Sequence, residues 1–175
     1  MHIYLVGFMA VGKTTFGKKL ARALALPFID TDKLIETHTN KSIEQLFAEL
    51  GEDKFRELET EVLHNIPINK IHVVATGGGL PCYNNNMEYL NKSGFTVYLC
   101  AETAFIYSRL MQAKIPRPLV KGLKGEQLLQ FITHKLTARQ PFYNQSKQII
   151  KLPEKDPETL VNTVVLAYRD WLSQA

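Results

Sequence analysis

Ile3-Tyr4-Leu5-Val6-Gly7-Phe8-Met9-Ala10-Val11-Gly12-Lys13-Thr14-Thr15 begins as an apolar run of strand length, breaks at one glycine, and passes through a second into Lys-Thr-Thr. Every fixed position of the P-loop pattern G-x-x-x-x-G-K-[ST] is filled. The glycines let successive backbone N–H groups turn inward around a phosphate chain, and a helix opening near Lys13 adds the positive end of its dipole. A nucleoside triphosphate is therefore the first expected ligand, held by Ala10, Val11, Gly12, Lys13, Thr14 and Thr15. Lys13 reaches the β/γ-phosphates, and the Thr14 hydroxyl is placed to ligate an accompanying Mg²⁺. An incidental glycine turn with a chance Lys-Thr is the alternative, but an apolar strand before the motif and a helical segment over 16–24 supply the context it requires.

Composition agrees with one ordinary globular unit: 175 residues, 45% hydrophobic and 22% charged, are enough to bury a core. The net charge of +4 suits an enzyme handling phosphates and carboxylates. No dense Lys/Arg block or basic stripe interleaved with aromatics occurs, so no nucleic-acid partner is expected. The two cysteines, Cys82 and Cys100, have neither metal-ligand spacing nor the density of a disulfide framework, and reduced thiols in a cytoplasmic protein are expected. The first strand starts at once, so no signal peptide is expected, and no apolar run reaches membrane-spanning length. A monomer without a membrane partner is the default.

Apolar runs at 3–6, 27–29, 71–75, 95–99 and 148–152 alternate with stretches of helical period, which predicts an α/β fold, a five-stranded parallel sheet between two helical layers. Residues 31–65 exceed a simple crossover. Within them Ile43, Leu46, Phe47 and Leu50 recur at helical spacing, Gly51 interrupts, and Phe55, Leu58, Val62 and Leu63 resume. This reads as a helical substrate-binding insertion over the strand ends, where open α/β sheets take ligands. Residues 111–125 mix Pro116, Pro118, Gly122 and Gly125 with Lys114, Arg117, Lys121 and Lys124, either a mobile lid over phosphates or an ordinary surface loop. Leu160, Val164, Ala167, Tyr168 and Trp171 form a terminal helical stripe assigned to the core.

Four further groups of residues carry candidate chemistry. Asp30-Thr31-Asp32 leaves the end of the second strand on the side where the P-loop opens. Asp30 can support the Mg²⁺ shell and Asp32 can hold an acceptor hydroxyl or receive its proton, although capping of the next helix by Thr31 or Asp32 explains the same residues. Arg56 is either a fork for a substrate carboxylate or one member of a solvated helical array with Glu52 and Glu59. Thr76-Gly77-Gly78-Gly79 ends the third strand without an acidic residue, so Asp30 takes the usual second metal-side position, and the glycines either admit a ligand or merely punctuate. Arg117, flanked by prolines, is an arginine finger in cis; Arg139, following a helix, is a substrate contact or a helix C-terminal cation. The five histidines show no ligand spacing.

Taken in order, the stretch 7–15, Asp30-Thr31-Asp32, Phe55-Arg56-Glu57-Leu58-Glu59, Ala75-Thr76-Gly77-Gly78-Gly79 and Arg117-Pro118-Leu119 resemble the shikimate kinase family in type and spacing over almost the whole chain. The resemblance implies a nucleoside-monophosphate-kinase type of fold and phosphorylation of the 3-hydroxyl of shikimate by ATP with Mg²⁺. It implies that Asp32, Arg56, Gly78, Gly79 and Arg139 hold shikimate, that Lys13, Thr14, Asp30 and Arg117 serve ATP·Mg²⁺, and that Lys13, Asp32 and Arg117 are catalytic. The chain departs from the family's A-D-x-x-V-D-T near the adenine, reading Gln145-Ser146-Lys147-Gln148-Ile149-Ile150-Lys151-Leu152, and Arg109 falls near a base-contacting position. A kinase for another hydroxylated acid such as gluconate, and a regulatory nucleotide switch, are the competing readings.

Overall fold

The computed structural model describes residues 1–113, 118–120, 122–153 and 156–174. Five strands, β1 (His2–Val6), β2 (Phe28–Asp30), β3 (Val73–Ala75), β4 (Gly94–Ala101) and β5 (Gln148–Leu152), form one sheet in the order β2-β3-β1-β4-β5. All four pairings are parallel, in register from Phe28↔Val73 through Ile3↔Val73 and Ile3↔Phe95 to Val97↔Gln148. Every predicted strand is present. β4 runs longer than its apolar run, because Gly94 and Ala101 at its ends continue the ladder with β1 and β5.

Parallel strands need crossovers, and here these are helices that cover both faces. Ile3 and Leu5 of β1 face one side with Val97 and Leu99 of β4, packed by α1 (Lys13–Ala23), α5 (Thr103–Met111), α6 (Gly125–Tyr143) and α7 (Pro157–Ser173). Tyr4, Val6, Val74 and Tyr98 face the other, against Leu63, Leu80, Met87, Leu90 and Tyr143. Val161, Val164 and Tyr168 of α7 are buried as the terminal stripe predicts, with Leu160, Ala167 and Trp171 packed partly against them.

The insertion is two helices, α2 (Thr31–Thr39) and α3 (Ile43–His64), followed after β3 by α4 (Asn86–Ser93). Ser42 and Gln45 cap α3 reciprocally, the side chain of each accepting from the other's backbone N–H. Gly51 breaks its helical path at φ 75°, ψ 174°, a conformation that suits glycine. A small core of Ile35, Leu46, Phe55 and Val62 holds the pair together. Of the proposed lid, Met111 ends α5, residues 118–120 form a single 3₁₀ turn, and α6 opens at Gly125; Arg117, with 114–116 and 121, lies outside the described residues.

Candidate active site

The parallel register brings the carboxyl ends of β1, β2 and β3 side by side, so the loops leaving them share one edge of the sheet. The loop from β1 crosses Ala10 and Gly12, both at positive φ, before α1 begins at Lys13. Lys13 donates from Nζ to the carbonyls of Gly7 at 2.7 Å and Phe8 at 2.8 Å, folding over its own loop. Thr14 lies exposed on the first turn and donates its hydroxyl to Asp30 Oδ2 at 2.7 Å. Arg109 of α5 reaches the same loop, its Nε 3.5 Å from the Ala10 carbonyl.

Asp30 also caps α2, accepting the Lys33 N–H on its other oxygen at 3.4 Å. The alternative in which Thr31 or Asp32 caps that helix is thus corrected, because the residue of extended backbone conformation is Asp30. Thr31 is buried and accepts the Gly77 N–H at 2.8 Å, locking the loop after β3 to the start of α2. Asp32, the second residue of that helix, lines a solvent-open pocket.

Arg56 forms another wall of this pocket and is only 4% exposed. Nη1 donates to Glu59 at 2.6 Å and Nη2 to Glu52 at 2.8 Å, and the guanidinium carbon stands 4.6 Å from the ring centre of Tyr83. The helical array therefore exists, but it is not the solvated one the spacing allowed: Arg56 and Glu59 face inward, and both line the pocket. Burial pushes the Glu59 carboxyl up to about 7, Arg56 opposing and Asp32 adding to the rise. Glu59 escaped the reading of candidate residues. Its signal was present, since it shares a helical face with Phe55, Val62 and Leu63, all buried.

The glycine run is neither punctuation nor slack. A Cβ on Gly77 would stand 2.5 Å from Glu59 Oε1 and 2.7 Å from Asp32 Oδ1, and one on Gly79 2.5 Å from Arg56 Nη1. The missing side chains make room for the acidic and basic groups of the insertion. Gly78 lines the pocket, and its carbonyl accepts the hydroxyl of Tyr143. Arg139 is 5% exposed and lies inside α6, not after a helix as expected, and it lines the same pocket. Its guanidinium carbon is 5.6 Å from the Phe8 ring centre, a residue of the P-loop.

Asp32, Arg56, Gly78, Gly79 and Arg139 thus converge on one pocket, beside the P-loop, whose Thr14 at the start of α1 bonds Asp30 at the end of β2. No group of three or more His, Cys, Asp or Glu side chains suited to a metal is found among the described residues. None of the described helices is long and apolar enough to cross a membrane. Cys82 and Cys100 are free thiols.

Comparison with known proteins gives the same direction. The family profile for shikimate kinase matches residues 9–169. A shikimate kinase of Phocaeicola vulgatus is 44% identical over 98% of this chain and 98% of its own. Among solved structures, the shikimate kinase of Bacteroides thetaiotaomicron superposes with a TM-score of 0.87 at 39% identity, covering 94% of this chain and 96% of that one. The Acinetobacter baumannii shikimate kinase in complex with shikimate gives 0.84 at 35% identity, covering 94% and 90%. With a profile spanning nearly the whole chain and relatives this similar over their full length, the chain belongs to the shikimate kinase family.

Proposed function

We propose that this chain transfers the γ-phosphoryl group of ATP to the 3-hydroxyl of shikimate, giving shikimate 3-phosphate and ADP in the route to chorismate and the aromatic amino acids. The observation that carries the reading is the meeting of two buried guanidiniums, Arg56 and Arg139, with Asp32 in a pocket adjoining the P-loop. Two cations suit an acceptor bearing a carboxylate, and a carboxylate near the phosphate loop suits an acceptor hydroxyl.

Phosphoryl transfer asks the protein mainly for position and charge. Arg56 and Arg139 grip the acceptor's carboxylate, and the backbone at Gly78 and Gly79 lets the ring approach. Asp32 orients the 3-hydroxyl and receives its proton. The N–H groups of residues 10–15 cradle the phosphates, and Lys13 leaves the carbonyls of Gly7 and Phe8 to meet the developing charge. Arg117 adds a second cation from the lid, whose closure excludes water. The paired Thr14 hydroxyl and Asp30 carboxylate are hard oxygen donors that fit Mg²⁺, which needs few protein ligands because it keeps water and phosphate oxygens. When bound, the ion neutralises charge on the phosphates. Residues 31–65 act as the acceptor-binding insertion and 111–125 as the lid, in a cytoplasmic monomer.

The test is ADP release by the purified protein with ATP and Mg²⁺, without acceptor, with shikimate and with gluconate, the product being identified by mass. Stimulation by shikimate alone with formation of shikimate 3-phosphate is expected. Stimulation by gluconate alone, or by neither, overturns the acceptor.

A further inference from the structure

An acceptor carboxylate that approaches Arg56 does not meet an unengaged guanidinium. A two-pronged grip uses either the Nη1–Nη2 edge or the Nη2–Nε edge, so both edges include Nη2. Nη2 is the nitrogen that donates to Glu52, while Nη1 is held by Glu59 and Nε is buried without a partner. The charge balance is equally unfavourable to an incoming anion. Among the described residues, Arg56 and Arg139 face Asp32, Glu59 and Glu52, so carboxylates already offset the two guanidiniums, and Lys135 on α6 adds its charge at Glu52. One internal carboxylate has to yield.

The two on Arg56 differ in their freedom to do so. Glu59 is 2% exposed and wedged against Gly77, whereas the side chain of Glu52 is 44% exposed. Glu52 directly follows Gly51, where the backbone of α3 leaves its helical path. Its only other hydrogen-bond partner among the described contacts is the Tyr83 hydroxyl at 3.1 Å, and the charge of Lys135 on α6 already acts on it. A displaced Glu52 thus has a cation waiting on the helix that carries Arg139.

We infer that Glu52 is an exchangeable internal carboxylate, a partner of Arg56 Nη2 that the carboxylate of the acceptor must displace. Glu52 thereby sets acceptor affinity without touching the acceptor. The inference rests on the acceptor being shikimate, as proposed above.

The experiment is a calorimetric titration of wild type, Glu52→Gln and Tyr83→Phe with shikimate and with its methyl ester, together with steady-state KM for shikimate and ATP. Glu52→Gln is expected to tighten shikimate by about three- to tenfold, the range of a partly exposed charge-assisted contact. KM for shikimate falls accordingly, while KM for ATP and affinity for the ester do not move. Tyr83→Phe, which changes no charge but removes a hydroxyl holding Glu52, moves shikimate affinity in the same direction by a smaller factor. Equal or weaker shikimate binding by Glu52→Gln, or tightening of the ester to the same degree, overturns the exchange. Wild type that neither binds nor phosphorylates shikimate strikes at the acceptor assignment, whereas normal turnover with no gain in the variant strikes at the exchange alone.

Discussion

Asp32 and Arg56 face the same pocket, but their substitution separates chemistry from architecture. Asp32→Asn keeps shape and hydrogen-bonding capacity while removing the group that takes the hydroxyl proton. Turnover should fall about 10²-fold or more with the ATP dissociation constant within about threefold of wild type, measured by single-turnover assay and nucleotide titration. Unchanged turnover removes Asp32 from the mechanism. Arg56→Ala acts on both levels, weakening acceptor binding and stranding Glu59, a carboxylate 2% exposed. Breaking such a pair by deleting one partner costs about 3–5 kcal/mol. Burial already holds the Glu59 carboxyl up at about 7 with Arg56 opposing, so losing the guanidinium drives it higher. A carboxyl raised above its unfolded value binds more protons folded than unfolded, and stability therefore falls as pH rises. The deficit of Arg56→Ala in urea melts should be smaller at pH 5.5 than at pH 8. A deficit that does not depend on pH would mean that Glu59 does not depend on the Arg56 charge.

At the scale of elements, the glycine loop after β3 and the second half of α3 are built as one fitted pair. Gly79→Ala puts a methyl 2.7 Å from Arg56 Cζ, and because the buried Glu59 pins the guanidinium the strain cannot be relieved by a free side-chain swing. KM for shikimate should rise about tenfold or more, the fork being displaced from its binding geometry. Gly51→Ala meets no atom within 4 Å but forces alanine to φ 75°, and should cost about 1 kcal/mol of stability with a much smaller effect on KM. Equal KM effects of the two substitutions would refute the fitted pair. These elements also mark how far the amino-acid sequence could be read. The β1 run and P-loop, the break at Gly51 and the limits of β5 were legible because each rests on local chemistry: a strand entering a glycine turn, a residue able to hold positive φ, an apolar run between polar ends. The inward turn of Glu59 was legible only through its helical phase with Phe55 and Val62, which charge spacing to Arg56 obscured. That Gly77 and Gly79 vacate space for Glu59, Asp32 and Arg56 could not be read at all, since it depends on α3 and the β3 loop meeting across more than a dozen residues of chain. Arg139 was expected after a helix, yet α6 runs through Pro141 to Tyr143.

Across the whole molecule, the sheet divides its labour: the carboxyl ends of the strands carry the pocket, and the amino ends carry a buried His2 beside a half-buried His72, with no part in it. His2 opens β1 at 3% exposure, its Nδ1 accepting the His72 N–H at 3.2 Å, with the His72 ring centre 5.3 Å away and Tyr4 edge-on at 5.6 Å. His2 Nε2 and His72 Nδ1 are buried without partners. Burial, with His72 and the Met1 ammonium adding repulsion, lowers the His2 pKa from 6.5 to about 4. Between those values the unfolded chain binds the proton that the folded one refuses, so the fold weakens as pH falls through that window. The loss attributable to His2 between pH 7 and pH 5 should be about 2 kcal/mol. His2→Asn retains an acceptor for the His72 N–H but cannot titrate, and the difference in unfolding free energy between wild type and variant should shift by that amount, in the variant's favour, over the same interval. Turnover at pH 7.5 should stay within about twofold of wild type, because the substitution lies at the far end of β1 from Lys13. A parallel decline of both proteins from pH 7 to 5 would assign acid sensitivity to the carboxylates instead, and a loss of turnover in the variant would show that the two ends of the sheet are coupled.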